Sequence, residues 1–403
     1  MAFLADRLKK FEPSPTLAIT ARARELKAAG RDVIGFGAGE PDFDTPEHIR
    51  EAARRAIAEG QTRYTNVGGT PLLKKTICEK FRRDNNLQYT PEEVTASNGG
   101  KQVLFNLFLA TLNPGDEVLL PTPAWVSYAD MLRFADAVPV PIYAGPDQNY
   151  LITPEQLRRA ITPRTRMFVL NSPCNPTGAT FAKKELAAIC EVLLAHPDIL
   201  IASDDIYEHI IFDGLRFYNP AMLFPELKSR TFIINGVSKA YSMTGWRIGI
   251  GAGPKEIVRN MEKIQGQCSS NPSSISQAAA VAALGEDQEC VEVMRQAFEQ
   301  RRDLVFRMLQ SIDGIRIIKP RGAFYIFPDI SEIYAWPRFQ KLIKDDPRKS
   351  RVFCSHLLDH YDVAAVAGFA FGDDNALRIS YALDETNLRK GLERLGNMVN
   401  DLR

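Results

Sequence analysis

Apolar and polar positions along the chain fall into short apolar runs alternating with longer helical patterns. Four runs are brief and closed by polar turns, as buried strands are. Residues 117–120 follow the turn Asn113-Pro114-Gly115-Asp116, and 166–170 precede Asn171-Ser172-Pro173. Residues 199–203 precede Asp204-Asp205, and 231–237 precede Ser238-Lys239. Stretches between them, such as 183–194, carry apolar residues at helical spacing. Strands alternating with helices predict an α/β fold, a mostly parallel sheet covered by helices. Ligands of such sheets bind beyond the carboxyl ends of the strands. Asn171, Asp204, Ser238 and Lys239, each placed just after a strand, are therefore expected along one edge. From about residue 289 the pattern changes to a long helical run (290–311), strand-like 315–318 and 323–327, and a charged stretch, 338–351. This predicts a large domain over residues 46–288 and a smaller α+β domain formed by 1–45 plus 289–403.

Composition narrows the class. At 403 residues the chain is long enough for two domains. Its formal net charge of +1 comes from dispersed charges, which argues against a nucleic-acid or membrane surface. No apolar run has the length of a bilayer span. The first fifteen residues have no signal-like hydrophobic core, so a cytoplasmic location is expected. The 6 cysteines are scattered without a C-x-x-C pair and read as free thiols in a reducing compartment. His356 and His360 lack metal-ligand companions and read as a structural pair, so no metal is expected.

The segment Ser238-Lys239-Ala240-Tyr241-Ser242-Met243-Thr244-Gly245-Trp246-Arg247 carries the sharpest chemical signal. A lysine enclosed beside another cation is deprotonated more readily, and so becomes nucleophilic. An arginine eight positions on offers a planar fork for phosphate. Lysine plus phosphate anchor is what a pyridoxal phosphate site needs, although the same segment also reads as a strand end followed by a solvated loop. Ser97-Asn98-Gly99-Gly100-Lys101-Gln102 opens a helical pattern and presents free amides suited to an anion. It fails G-x-G-x-x-G, as do residues 35–40 and 249–254, so a nicotinamide oxidoreductase is disfavoured. In residues 171–178, Asn175 lies in a double-proline turn and is either a turn former or a ring-oxygen donor. Asp204 is a helix cap or a partner for a pyridine nitrogen. Trp125 is a core residue or a stacking face. Arg378, in an apolar run, needs an anion, which is an internal acid or a substrate carboxylate.

Together these residues resemble the fold type I, pyridoxal phosphate-dependent aminotransferases of class I/II, closest to the prokaryotic-type aspartate aminotransferases. The likeness runs from Gly37-Ala38-Gly39-Glu40-Pro41-Asp42-Phe43 through Asn175-Pro176-Thr177-Gly178 and Ser238-Lys239 to Arg378. It implies that Lys239 forms the Schiff base and shuttles the proton, that Asp204 pairs with the pyridine nitrogen, and that Asn175 and Tyr207 hold the ring oxygen. Trp125 would stack on the ring, with Gly99, Gly100, Lys101, Ser238 and Arg247 around the phosphate. Arg378 would clamp the substrate α-carboxylate, with Gly39 closing over it. Tyr64 matches a tyrosine that reaches the partner subunit's phosphate, which implies a homodimer. The animal-type enzymes use a partner arginine for the distal carboxylate, and residues 265–274 contain none. Lys101, with Thr16, is then the distal candidate, and L-aspartate with 2-oxoglutarate the expected pair. Gly236 stands where many relatives carry a phosphate-binding hydroxyl, leaving Ser238 to serve. Glu12 stands where some dicarboxylate-using or prephenate-using relatives carry lysine; an acid there does not help an anionic substrate, which makes prephenate the less expected extra. An aromatic, alanine or kynurenine aminotransferase, or a carbon–sulfur lyase, would share the cofactor residues. A cofactor-sensing regulator would need a DNA-binding domain ahead of the motifs, for which no room is expected.

Overall fold

The computed structural model describes residues 3, 5–10, 15–343 and 346–403, apart from the side chains of 6, 7, 15–17 and 20. Glu12 and the Thr16 side chain lie outside the described residues. Seven strands form the main sheet: β1 (Val94–Ser97), β2 (Glu117–Thr122), β3 (Val138–Tyr143), β4 (Thr165–Asn171), β5 (Leu200–Asp204), β6 (Thr231–Gly236) and β7 (Gly249–Ala252). Their order is β1-β7-β6-β5-β4-β2-β3, and every pair is parallel except the two made by β7.

Alternate residues of each strand enter different cores, as the period of two requires. Leu119, Phe168, Leu170 and Ile201 pack with Leu186 and Ile189 of the helix Lys183–Leu194 on one face. Val118, Leu120, Ala202 and Ile234 pack with Val103 and Leu107 of the helix Gly100–Thr111 on the other. Covering both faces explains why these strands read as unbroken apolar runs, and β6 is buried at all its positions. Register matters for function here. Asn171 lies opposite Asp204, and Asp204 opposite Ile234, so the polar strand ends line up.

Two small sheets stand apart. Ile34–Gly35 pairs in parallel with Val363–Ala364, while Leu377–Ser380 lies antiparallel between Val366–Ala367 and Tyr325–Ile326. They share a core with the helices Glu289–Gln310 and Glu385–Leu402. The expected strand at 315–318 is absent. Only Arg316 pairs, with Asp329, because the turn at Gly314 (φ 75°) and Pro320 cut the run at both ends. The 323–327 run shortens to Tyr325–Ile326. No helix among the described residues is long and apolar enough to cross a membrane.

Candidate active site

A cleft of about 420 Å³ opens beyond the carboxyl ends of the parallel strands. Its wall from the main sheet carries Gly100, Lys101, Trp125, Asn171, Asn175, Asp204, Tyr207, Ser238, Lys239 and Arg247. The opposite wall comes from the small sheets: Gly37 to Glu40, Tyr325 and Arg378. The fold thus joins residues far apart in sequence, as when Arg378 Nη2 donates to the Gly37 carbonyl, 341 positions away, at 2.7 Å.

Lys239 follows β6 and is part-buried on the cleft floor. Its ammonium donates to the Gly39 carbonyl. Burial, reinforced by Arg378 and Arg247 and opposed by Glu40, brings its pKa down to about 8. The amine is therefore far more available near neutrality than a free lysine's. Asp204 ends β5 and is buried; burial raises its carboxyl to about 6, against the pull of a Tyr128 hydrogen bond and the Lys239 charge. The Asn171 side chain donates to the Asp204 carbonyl at 3.0 Å and accepts from the Asn175 amide at 2.9 Å, which ties the two strand-end loops together. Tyr207 is buried and shares a 2.9 Å hydrogen bond with the Tyr325 hydroxyl.

One end of the cleft, whose groups suit an anion, is built from β1, β7 and the start of the helix at Gly100. Gly99 has φ 86°, and a Cβ there would come within 2.7 Å of Arg247 Cζ. The Arg247 guanidinium lies against this bare backbone, donating to the carbonyls of Thr244 at 2.9 Å and Asn98 at 3.2 Å. The helix that begins at Gly100 adds its unpaired amides and the positive end of its dipole. A Cβ on Gly236 would sit 2.9 Å from the Ile248 carbonyl, which leaves no space for a hydroxyl-bearing side chain. Ser238, buried in the cleft wall, is the nearest substitute in sequence.

Arg378 is buried, its Nη1 donating to Asn175 Oδ1 at 3.0 Å and its fork lying 4.6 Å from the Tyr325 ring centroid. Its buried Nε has no hydrogen-bond partner, and among the described residues no carboxylate pairs with it. The internal-acid alternative left open by the sequence thus finds no acid among the described residues. A buried guanidinium in a cleft with an orphaned donor fits an incoming carboxylate. Lysine amine, buried acid, flat tryptophan face and phosphate cradle likewise match the parts of a pyridoxal phosphate molecule.

Tyr64, an expected cofactor residue, is kept away from the cleft by the fold. It is 92% exposed and lines a separate groove between the helices Glu47–Ala58 and Ser274–Gly285. The structure also adds residues that the motifs did not single out. Tyr325 had no signal, since its role depends on a fold-back from the second core. Tyr128, three residues after Trp125, had no assigned part. Arg24, on the helix Pro15–Ala28, brings a further exposed cation to the cleft wall.

Comparison with known proteins agrees with this geometry. The family model described as aminotransferase class I and II matches residues 31–395. The aspartate/prephenate aminotransferase of Cereibacter sphaeroides is 54% identical over 98% of both chains. The solved aspartate aminotransferase of Rhizobium meliloti superposes with a TM-score of 0.92 at 46% identity, covering 98% of each chain. That of Thermus thermophilus, solved with maleate, gives 0.89 at 42% identity over 98% of this chain and all of its own. A sequence match that spans both walls of the cleft, and a fold that superposes along nearly the whole chain, make this protein a member of the class I and II aminotransferases.

Proposed function

We propose that the protein transfers the amino group of L-aspartate to 2-oxoglutarate, giving oxaloacetate and L-glutamate by a ping-pong scheme. The observation that carries this reading is the pair of cationic sites in one cleft. Arg378 is buried with no paired acid among the described residues, and Lys101 stands open to solvent 5.0 Å from the Trp125 ring. A dicarboxylate lying between them would place its α-carboxylate on Arg378 and its distal carboxylate toward Lys101, joined by the exposed Arg24. Maleate bound to the Thermus relative is a dicarboxylate as well.

Enzymes of this family use pyridoxal phosphate. When bound, this group supplies an electron sink conjugated to the substrate amine. The remaining work belongs to the protein. Lys239 Nζ is the nucleophile and then carries the proton from the substrate Cα. The Asp204 carboxylate would pair with the ring nitrogen and favour a proton there. Asn175 and Tyr207 would hold the ring oxygen, and Trp125 would stack on the ring. Gly99, Gly100, Lys101, Ser238 and Arg247 would hold the phosphate. Arg378 and the Gly39 backbone orient the substrate, in a cleft formed between a large domain at 46–288 and a small one at 1–45 plus 289–403.

Tyr64, with the exposed Leu72 on the same groove, suits a homodimer in which each copy lends Tyr64 to the other's phosphate site. The distinguishing experiment is a donor and acceptor screen on the protein and on Lys101→Ala. Aspartate and 2-oxoglutarate should lead, and with the cofactor held saturating Lys101→Ala should raise KM for dicarboxylates more than for monocarboxylic donors. Stronger turnover of phenylalanine or alanine than of aspartate would overturn the substrate assignment. The name of the Cereibacter relative makes prephenate the second acceptor to include.

A further inference from the structure

Asp204 is buried almost completely, and a carboxylate removed from water needs strong donors to remain charged. Its Oδ1 receives only a long contact from the Ile206 amide, at 3.4 Å. Its Oδ2 receives the Tyr128 hydroxyl at 2.5 Å, within the range of a hydrogen bond to an ionised acceptor. Tyr128 belongs to the helix Ser127–Phe134, is itself 1% exposed, and is packed edge-on to Trp125 with ring centroids 5.3 Å apart at 89°. One side chain therefore touches both the acid below the cleft and the aromatic face above it.

We propose that Tyr128 is a positioning residue, whose hydroxyl keeps Asp204 ionised and aimed into the cleft while its ring sets the plane of Trp125. The proposal rests on the reading of Asp204 as the partner of the cofactor's ring nitrogen and deepens it. Other groups acting on Asp204 are the Lys239 ammonium, which favours its charge, and Asp205, Cys174 and the Tyr207 hydroxyl, which do not. None of these is hydrogen-bonded to its side chain among the described residues. Burial already brings the carboxyl to about 6, so loss of the one strong donor moves its titration across neutrality.

The test uses Tyr128→Phe, which keeps the ring against Trp125 and removes only the hydroxyl. In the cofactor-free protein, the Asp204 carboxyl is followed by difference infrared spectroscopy on carbon-13-aspartate-labelled material, with Asp204→Asn identifying its band. The midpoint should rise by at least one pH unit in Tyr128→Phe. Pyridoxal phosphate should bind roughly tenfold more weakly or worse, the loss of one hydrogen bond to a charged group. For the amino-acid substrate, kcat should fall while KM changes little. Replacement of Tyr128 by 3-fluorotyrosine, a more acidic phenol, should move the midpoint the other way; it also serves if Tyr128→Phe does not fold. An unchanged Asp204 midpoint in either variant overturns the proposal. If instead the midpoint moves but Asp204→Asn binds the cofactor with unaltered affinity and absorbance, the proposal about Tyr128 and Asp204 stands while the cofactor role of Asp204 fails.

Discussion

Gly99→Ala isolates the phosphate cradle from every other part of the site. Two effects follow from the geometry. Gly99 has φ 86° and ψ 162°, a region essentially reserved for glycine, where an alanine costs about 1–3 kcal/mol in backbone strain. Its new methyl would also lie within 2.7 Å of Arg247 Cζ, so the guanidinium must move off the loop. The loop cannot retreat the other way, because a Cβ placed on Gly249 lies only 2.6 Å from the Gly99 carbonyl oxygen and shows how closely the two backbones pass. If Arg247 loses one hydrogen bond to the phosphate, about 1.5–3 kcal/mol of cofactor binding disappears, a roughly 10- to 150-fold rise in Kd. Gly115 supplies the control. It has the same φ of 86° and nothing within 4 Å of its would-be Cβ. Gly115→Ala should therefore carry a positive-φ strain of its own, with no steric contact, and spare the cofactor. The assay is titration of each apo-protein with pyridoxal phosphate by absorbance and tryptophan fluorescence, beside thermal melts of both. Equal cofactor affinities in the two variants would refute the assignment of Gly99 and Arg247 to the phosphate.

Three further outcomes test other parts of the reading. Arg378→Lys keeps the charge but loses the fork that holds Asn175 and Gly37, so KM for both amino and oxo acids should rise about 10- to 100-fold with the cofactor absorbance intact. The rate at which apo-protein captures pyridoxal phosphate tracks the neutral Lys239 amine, so it should climb with pH and level off above about 8; a rate still rising at pH 10 would show an unperturbed lysine. Away from the cleft, Lys80 and Glu208 are a buried pair bridged by Asn85 at 2.8 and 2.7 Å, with Asn235 donating to Glu208 at 2.8 Å. Burial alone would raise the Glu208 carboxyl, but the Lys80 and His209 charges hold it well below the usual carboxylate range. Its stabilising contribution is thus present above the unfolded pKa of about 4.3 and is lost progressively as pH falls below it. Lys80→Met should cost about 3–5 kcal/mol in urea unfolding near neutrality and flatten part of that acid dependence.

Much of the site was legible because its chemistry sits at strand ends, and strand ends are local features. Apolar runs closed by Asn171, Asp204 and Ser238-Lys239 needed only neighbouring residues to be recognised, and the parallel register then aligned them. Lys183–Leu194 has the same bounds in sequence and structure for the same reason: its apolar spacing and its burial agree. The strand expected at 315–318 failed because a strand needs a partner, and only Arg316 finds one.

What the chain by itself determined was the inventory: one lysine after a buried strand, an arginine eight residues on, glycines before a helix, and an arginine in an apolar run. Tertiary structure decided what each one meets. It brought Gly37 to Arg378, left the Arg378 Nε unpaired, placed Tyr325 on Tyr207 and Tyr128 on Asp204, and turned Tyr64 away from the cleft. The physical reason is that burial and hydrogen-bond partners are set by packing between distant segments. The lowered pKa of Lys239 and the raised one of Asp204 are accordingly properties of the fold, while the presence of the lysine and the acid is a property of the sequence.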